Sequence, residues 1–219
     1  MIENELKKRN LPNVFGVDGQ ISTVGEWEQK GRAYWKNVLQ KEEYGFYPPI
    51  VKPKISTSVN QVDFAGKATW ETVNFTFSVN GKEHTVPTNL IYPKNNENIP
   101  FFIYINFRPD IPDRYMPVEE IIDNGFGIFS VCHNDITTDN GDFTNGLAGL
   151  FQEGERKDGD CGKITYWSYM ASRMIDYLQT REEADKNMIG VAGHSRLGKT
   201  ALLTSALDER FAFVCSNNS

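Results

Sequence analysis

Three apolar runs stand out along the chain: Ile99 to Phe107 (IPFFIYINF), Phe126 to Cys132, and Met188 to Ala192. Each has strand length, and an unbroken apolar run of that size fits a strand covered on both faces. Elsewhere the period changes. Lys163 to Thr180 puts Ile164, Trp167, Ala171, Met174, Ile175 and Leu178 on one face, the strongest helix signal in the sequence. Pro117 to Asn124 predicts a short helix closed by Gly125, with Glu119 and Glu120 at its positive end. Ser22 or Thr23 followed by Glu26 has the form of a capping box. Trp27, Gly31, Tyr34, Trp35 and Val38 then fall at helical spacing to about Lys41, an aromatic stripe expected to face a core.

Two β-rich runs, Trp70 to Val79 and His84 to Tyr92, flank Asn80-Gly81, a strong two-residue hairpin signal. Pro87 should make part of the second run an edge or a bulge. Residues 1–21 read as an extended arm, and Tyr44 to Lys54 as an irregular crossing segment rich in proline. His133 to Gly162 is polar and glycine-rich, with a short helical turn at Gly146 to Phe151. A loop of that length within one domain points to function. A last strand is expected at Phe211 to Ser216. Past the hairpin the order alternates strand and helix. It predicts a three-layer α/β fold with a mainly parallel sheet, helices on both faces and an N-terminal antiparallel hairpin.

Length and composition narrow the class without fixing it. A chain of 219 residues with 39% hydrophobic and 24% charged positions is an ordinary globular composition with a sizeable core. A formal net charge of −6 argues against general nucleic-acid binding. The opening MIENELKKRN lacks the apolar centre of a secretory leader, and no run reaches the ~18 apolar residues of a membrane span. The default expectation is therefore cytoplasmic, with secretion or a periplasmic setting reserved for an incomplete N-terminus. Cys132, Cys161 and Cys215 have no metal-type spacing; those in the strand-like runs, Cys132 and Cys215, are expected to be buried thiols. No metal or cofactor is expected.

The chemistry concentrates in NMIGVAGHSRLGKTALLTSA, where an apolar strand runs through Gly193 into a helix starting near Arg196. Two motifs share these letters. GHSRLGKT satisfies the phosphate-loop pattern G-x-x-x-x-G-K-[ST]. It also has the form of a nucleophile elbow, with Ser195 between Gly193 and Gly198, although the second glycine lies one place later than in G-x-S-x-G. A phosphate loop normally sits early in its domain and is followed by a metal-binding aspartate at a strand end. Here the next strand, FAFVCSNNS, has no aspartate, and a hairpin precedes the loop. The order of hairpin, strands and turn is the order in which an α/β-hydrolase reaches its nucleophile.

GHSRLGKTALLTSALDERFAFVCSNNS resembles the bacterial branch of the glucuronoyl esterases, carbohydrate esterase family 15, whose relatives are often named acetyl xylan esterase. ISTVGEWEQKGRAYWKNVLQKEEYGFYPP, PVEEIIDNGFGIFS and GDFTNGLAGLF agree in the same order. The resemblance implies residues 1–60 as an arm and helix packing on the core. Residues 61–219 would be an incomplete α/β-hydrolase domain, one structural unit overall, ending after the strand that follows the nucleophile helix. It implies a serine esterase acting on plant cell-wall carbohydrate esters, glucuronoyl (xylan–lignin) esters above all, with no nucleic-acid or membrane partner. In the roles it carries over, Ser195 is the nucleophile, Arg196 stabilises the oxyanion and Lys199 contacts the sugar. His194 is expected to be structural.

The relay departs from this pattern. An α/β-hydrolase supplies acid and histidine after the serine, and no histidine follows Ser195 here; His84 and His133 come earlier. The expectation is an N-terminal portion of a longer esterase, inactive alone, whose acid and histidine lie beyond Ser219 in the missing C-terminal half. The alternatives are an acetyl xylan esterase, a saccharide-binding pseudoenzyme without catalysis, and a nucleotide-binding protein. Asn106-Phe107 runs into Arg108-Pro109-Asp110 where relatives carry Gly-Asn, which leaves a second oxyanion amide from this loop unsupported. Arg108 and Arg114 are expected at the surface.

Overall fold

The computed structural model describes residues 2–9, 13, 15, 16, 21–62, 64–94 and 96–219. Seven strands, β1 (Lys54–Val59), β2 (Ala68–Val79), β3 (Lys82–Pro93), β4 (Ile99–Asn106), β5 (Gly127–Cys132), β6 (Ala184–His194) and β7 (Phe213–Asn217), form one sheet. Its order is β1-β2-β3-β5-β4-β6-β7. The pairs β1–β2, β2–β3 and β3–β5 are antiparallel, and β5–β4, β4–β6 and β6–β7 are parallel. The helices are α1 (Ile2–Lys8), α2 (Val24–Glu26), α3 (Arg32–Leu39), α4 (Val118–Asp123), α5 (His133–Ile136), α6 (Gly146–Phe151), α7 (Lys163–Leu178) and α8 (Arg196–Leu207).

Because successive strand residues face opposite ways, the sheet divides two cores. Leu90 and Phe129 join the larger one, with Trp167, Met170 and Met174 of α7 and Leu197 of α8. Their neighbours Ile91 and Ile128 join the smaller, with Val118 and Ile122 of α4. This is the predicted α/β-hydrolase-like three-layer arrangement. Burying each large apolar side chain contributes about 1.5–3 kcal/mol, so α7, buried along nearly its whole length, is a principal support of the sheet.

The hairpin forms as its letters require. Asn80 and Gly81 have φ of 50° and 77°, the left-handed pair of a tight hairpin turn. Pro87 stands opposite Asn74 within the β2–β3 ladder, and pairing of β3 to β5 starts only at Thr88. Its missing N–H therefore interrupts nothing on the β5 side.

Three expectations need correction. Within the stretch read as an extended arm, Ile2–Lys8 is helical, with Glu3 and Glu5 in its first turn, Lys7 and Lys8 in its last, and a Lys8–Glu5 ion pair of 2.8 Å. Residues 1, 10–12, 14 and 17–20 of that arm lie outside the described residues. The crossing segment ends in a strand: β1 pairs with β2, so the antiparallel part has three strands rather than two. β1 is an edge strand, exposed except at Ile55, and lacks a buried face to mark it in the sequence. The aromatic stripe is only half-buried. Residues 24–44 form one helical run in which π-helical turns, Trp27–Gly31 and Gln40–Tyr44, follow α2 and α3. Trp27, Trp35 and Val38 are half-covered and Tyr34 is exposed. The run is held to the end of α8 by Arg32, which reaches Glu209 and the Ala206 carbonyl. The capping box forms as read: Thr23 Oγ1 accepts from the Glu26 N–H at 3.2 Å, and the Glu26 carboxylate accepts from the Thr23 N–H at 3.1 Å.

At the edge of the larger core, near the start of β6, Arg181 collects a charged network. Its guanidinium donates to both Glu71 carboxylate oxygens at 2.7 and 3.2 Å and to Glu183 Oε1 at 2.8 Å. The Tyr92 hydroxyl donates to Glu71 Oε1 at 2.7 Å. Among the described residues no helix is long and apolar enough to cross a membrane.

Candidate active site

Ser195 sits alone between β6 and α8. Its backbone, at φ 55° and ψ −126°, lies where L-residues are rarely found. The strand above it and the helix below it hold it there. Its N–H donates to the Asn217 carbonyl of β7 at 2.8 Å, and its carbonyl accepts from the Lys199 N–H at 3.1 Å. Its side chain does not cap α8, so a capping role does not account for the serine.

The two glycines are explained by close approach. A Cβ on Gly193 would stand 2.3 Å from the Leu197 carbonyl oxygen, and one on Gly198 about 3.1 Å from Ser216 Oγ and 3.2 Å from the Asn217 carbonyl oxygen. The first lets the helix fold back on the strand that precedes it; the second lets α8 approach the end of β7. The later position of the second glycine follows, because residue 197 turns into the core as a fully buried leucine while residue 198 faces β7. The same geometry removes the phosphate-loop reading. Helix α8 starts at Arg196, so Gly198 and Lys199 are already helical and no run of loop amides remains to encircle a phosphate.

A cleft of about 520 Å³ opens over the serine, and its lining includes Ser195, Arg196, Lys199, Asp139, Lys163 and Trp167. Ser195 is half-buried, and Arg196 and Lys199 are exposed. The structure thus brings all three sequence-identified site residues to one opening. The first N–H groups of an α-helix have no partner within the helix and lie at its positive end, so the start of α8 at this cleft suits a developing negative charge. The Arg196 guanidinium pairs through Nη1 with Asp139 Oδ2.

His133 is close but is not among the residues lining the cleft. It is 4% exposed, packed edge-on against Phe107 and Trp167, with Nδ1–H donating to the Asn106 carbonyl at 3.2 Å. Its Nε2 stands 4.0 Å from Asp139 Oδ2. Burial holds its pKa below the ordinary imidazole value, which favours the neutral ring. His84 Nε2 lies 2.7 Å from the Asp135 carbonyl. His194 is exposed, its ring beside Phe107. Among the described residues, which include His84, His133 and His194, no histidine lines the cleft.

After β4 the backbone amide of Phe107 is already engaged by Asn106 Oδ1 at 2.8 Å. Arg108 pairs with Asp113 at 2.8 Å and lies over Tyr115, and Arg114 lies over the same ring. Neither arginine lines the cleft. All three cysteines are free; Cys132 and Cys161 are buried and burial raises both thiols. Cys215, expected to be buried, is exposed because β7 is an edge strand. Sequence reasoning missed Asp139, Lys163 and Trp167 as cleft residues. The length of the loop carrying Asp139 was the one available signal, and Trp167 was read only as core.

Residues 75–219 match the family described as glucuronyl esterase, fungi. The chain is 34% identical over 105 residues to carbohydrate esterase MZ0003 from an unknown prokaryotic organism, covering 47% of this chain and 24% of that protein. It is 27% identical over 213 residues to the 4-O-methyl-glucuronoyl methylesterase of Schizophyllum commune, covering 95% of this chain and 49% of that one. Its fold is similar to a solved glucuronoyl esterase from Solibacter usitatus, with a TM-score of 0.83, 27% identity, and coverage of 94% of this chain and 63% of that chain. The chain thus spans about half the length of the Schizophyllum relative.

Proposed function

This chain belongs to the glucuronyl esterase family, and from that premise we propose that it carries the nucleophile side of a serine esterase acting on glucuronoyl esters of plant cell-wall xylan. The observation that carries the reading is Ser195 itself: a serine on strained backbone, not used as a cap, at the N-terminus of α8 and beside an arginine in an open cleft. Relatives named 4-O-methyl-glucuronoyl methylesterase support the acyl group.

In the proposed reaction Ser195 Oγ attacks the ester carbonyl and passes its proton to a base. The carbonyl oxygen, now carrying negative charge, faces the α8 N-terminus and the Arg196 guanidinium, whose planar fork offers several fixed donors. Collapse of the tetrahedral adduct expels the alcohol, a lignin-type alcohol in the proposed substrate, and water then releases the acid from the serine. Lys199 holds the sugar. No step needs a metal. Because no imidazole lines the cleft, the base in this proposal comes from outside these residues, from a counterpart of the part of the relatives' length that this chain does not span. A cell-wall substrate fits the secreted or periplasmic alternative to the cytoplasmic default.

The same lack of an imidazole favours a second reading, saccharide binding without hydrolysis. Hydrolysis of benzyl glucuronate and of acetylated xylan by this chain extended with the part of a relative's length that it does not span, each with a Ser195→Ala control, separates the possibilities. Ser195-dependent release of benzyl alcohol supports the esterase. Preference for acetate redirects the specificity to acetyl xylan, and saturable saccharide binding with no Ser195-dependent turnover supports the second reading.

A further inference from the structure

The GDFTNGLAGLF stretch builds a closed scaffold that the proposed reaction does not itself use. Asn145 Oδ1 accepts from the Thr138 N–H at 3.0 Å, while Asn145 Nδ2 donates to Thr138 Oγ1 at 2.8 Å and to Asp142 Oδ2 at 3.0 Å. Asp142 Oδ1 accepts from the Thr144 N–H at 2.8 Å and from its hydroxyl at 2.7 Å. Lys163 ties the ring to α7, donating to Thr137 Oγ1 at 2.9 Å and to the Asp142 carbonyl. Between the tied ends stands Asp139, whose N–H is itself held by Asn134 Oδ1 at 3.3 Å. Its carboxylate reaches Arg196.

An ion pair with a partner this exposed, 53% for the Arg196 side chain, adds little to stability. Stability therefore does not account for the pairing of Asp139 with Arg196. An arginine on a free stem samples many rotamers, whereas a group that stabilises transition-state charge acts only if it already points at the place where that charge develops. We propose that Asp139 is a positioning residue that fixes the Arg196 guanidinium at the mouth of the Ser195 cleft, and that the braced loop of residues 137–145 exists to fix Asp139. The proposal deepens the esterase reading above and rests on it for its catalytic meaning. Asp139 engages Nη1; the other guanidinium N–H groups have no hydrogen-bond partner among the described residues and remain for the oxyanion. His133 supports the arrangement from behind. Its ring fills the space between Phe107 and Trp167, with Nε2 4.0 Å from the Asp139 carboxylate that the arginine engages.

Two measurements on the full 219-residue chain test this. The first is the side-chain ¹⁵N–¹H spectrum of Arg196. A held guanidinium gives resolved, slowly rotating Nη signals; Asp139→Ala and the isosteric Asp139→Asn should collapse them, with the Thr138 and Asn145 amides unmoved as proof that the loop is intact. The second is labelling of Ser195 by a p-nitrophenyl alkylphosphonate. The serine oxygen–phosphorus bond forms, the bond to p-nitrophenolate breaks, and the serine proton passes to water; the phosphoryl oxygen occupies the oxyanion position. Labelling should slow at least ~10-fold in Asp139→Ala, part of the loss known for removing one oxyanion donor, recover in part in Asp139→Glu, and vanish in Ser195→Ala. Unchanged Arg196 signals in Asp139→Ala, or faster labelling, would overturn the proposal, the latter by making Asp139 a competitor for the arginine. Wild-type protein with a held Arg196 whose Ser195 stays unlabelled even when added imidazole supplies the base would overturn the esterase reading and leave the brace standing.

Discussion

Replacing Arg181 by methionine removes the cation on which Glu71 and Glu183 converge. Glu71 is 6% exposed and would keep only the Tyr92 hydroxyl as donor, so its charge would remain buried without a counterion. Removing one member of a buried pair costs about 3–5 kcal/mol. Arg181 and Glu183 side chains are 21% and 32% exposed, which places the expected loss near the lower end, about 3 kcal/mol. With a urea slope of about 2 kcal/mol/M for a chain of this size, the midpoint should fall by about 1.5 M at unchanged slope. The informative variant is the double one. Replacing Glu71 by leucine in the Arg181→Met background removes the uncompensated charge, so most of the loss should return, even though Glu71→Leu alone leaves Arg181 facing only Glu183. Urea unfolding followed by tryptophan fluorescence on the four proteins of the cycle gives the coupling directly. If the double variant is as unstable as the sum of the singles, burial of an unpaired carboxylate is not what Arg181 prevents, and the reasoning fails.

Gly193→Ala should lower stability by about 3 kcal/mol and abolish Ser195 labelling, because the added Cβ meets the backbone of Leu197, which cannot rotate away; denaturation and labelling on one preparation check both. Ser195→Gly should raise stability by about 1 kcal/mol while removing the proposed nucleophile, since glycine occupies this backbone region without strain; an increase in urea midpoint is the readout, and a decrease would mean that the backbone is unstrained. Hydrogen bonds from Thr144 and Asn145 draw the Asp142 pKa down to about 2 in the folded loop. A pKa lowered on folding stabilises above the unfolded value near 4, and that contribution fades as pH falls from about 4 toward 2. Hydrogen exchange at the Thr144 amide should therefore accelerate through that window, and Asp142→Asn should remove the acid-dependent step.

Most of the fold was legible because its signals are local or periodic. The Asn80-Gly81 turn, the apolar face of α7 and the buried runs of β4, β5 and β6 each state their structure within a few residues. What was lost has a physical reason in each case. β1 exists because β2 offers it an edge, and its own exposed residues carry no pattern that demands a partner. The half-buried aromatic run at residues 24–44 has the spacing of a core helix, but spacing does not say how much surface a neighbour covers. The site divides the same way. Gly193, Ser195 and Gly198 announce a tight strand-to-helix turn by themselves, whereas Asp139 and Lys163 reach the cleft only through the path of a loop, which no spacing rule records.

The bond from the Ser195 N–H to the Asn217 carbonyl also has a consequence for the order of folding. The β2–β3 hairpin closes through neighbours in sequence and forms early. The elbow waits for β6 to insert beside β4, from which much of the chain separates it, and then for β7 to dock against β6. Long-range parallel pairings come late, because the entropy of closing the chain must be overcome before they add any stability. Ser195, the proposed nucleophile, is therefore assembled last, and a partly folded chain contains its sequence without its geometry. Nascent or misfolded protein should be chemically silent at Ser195, which makes labelling of that residue a report on completed folding as much as on reactivity.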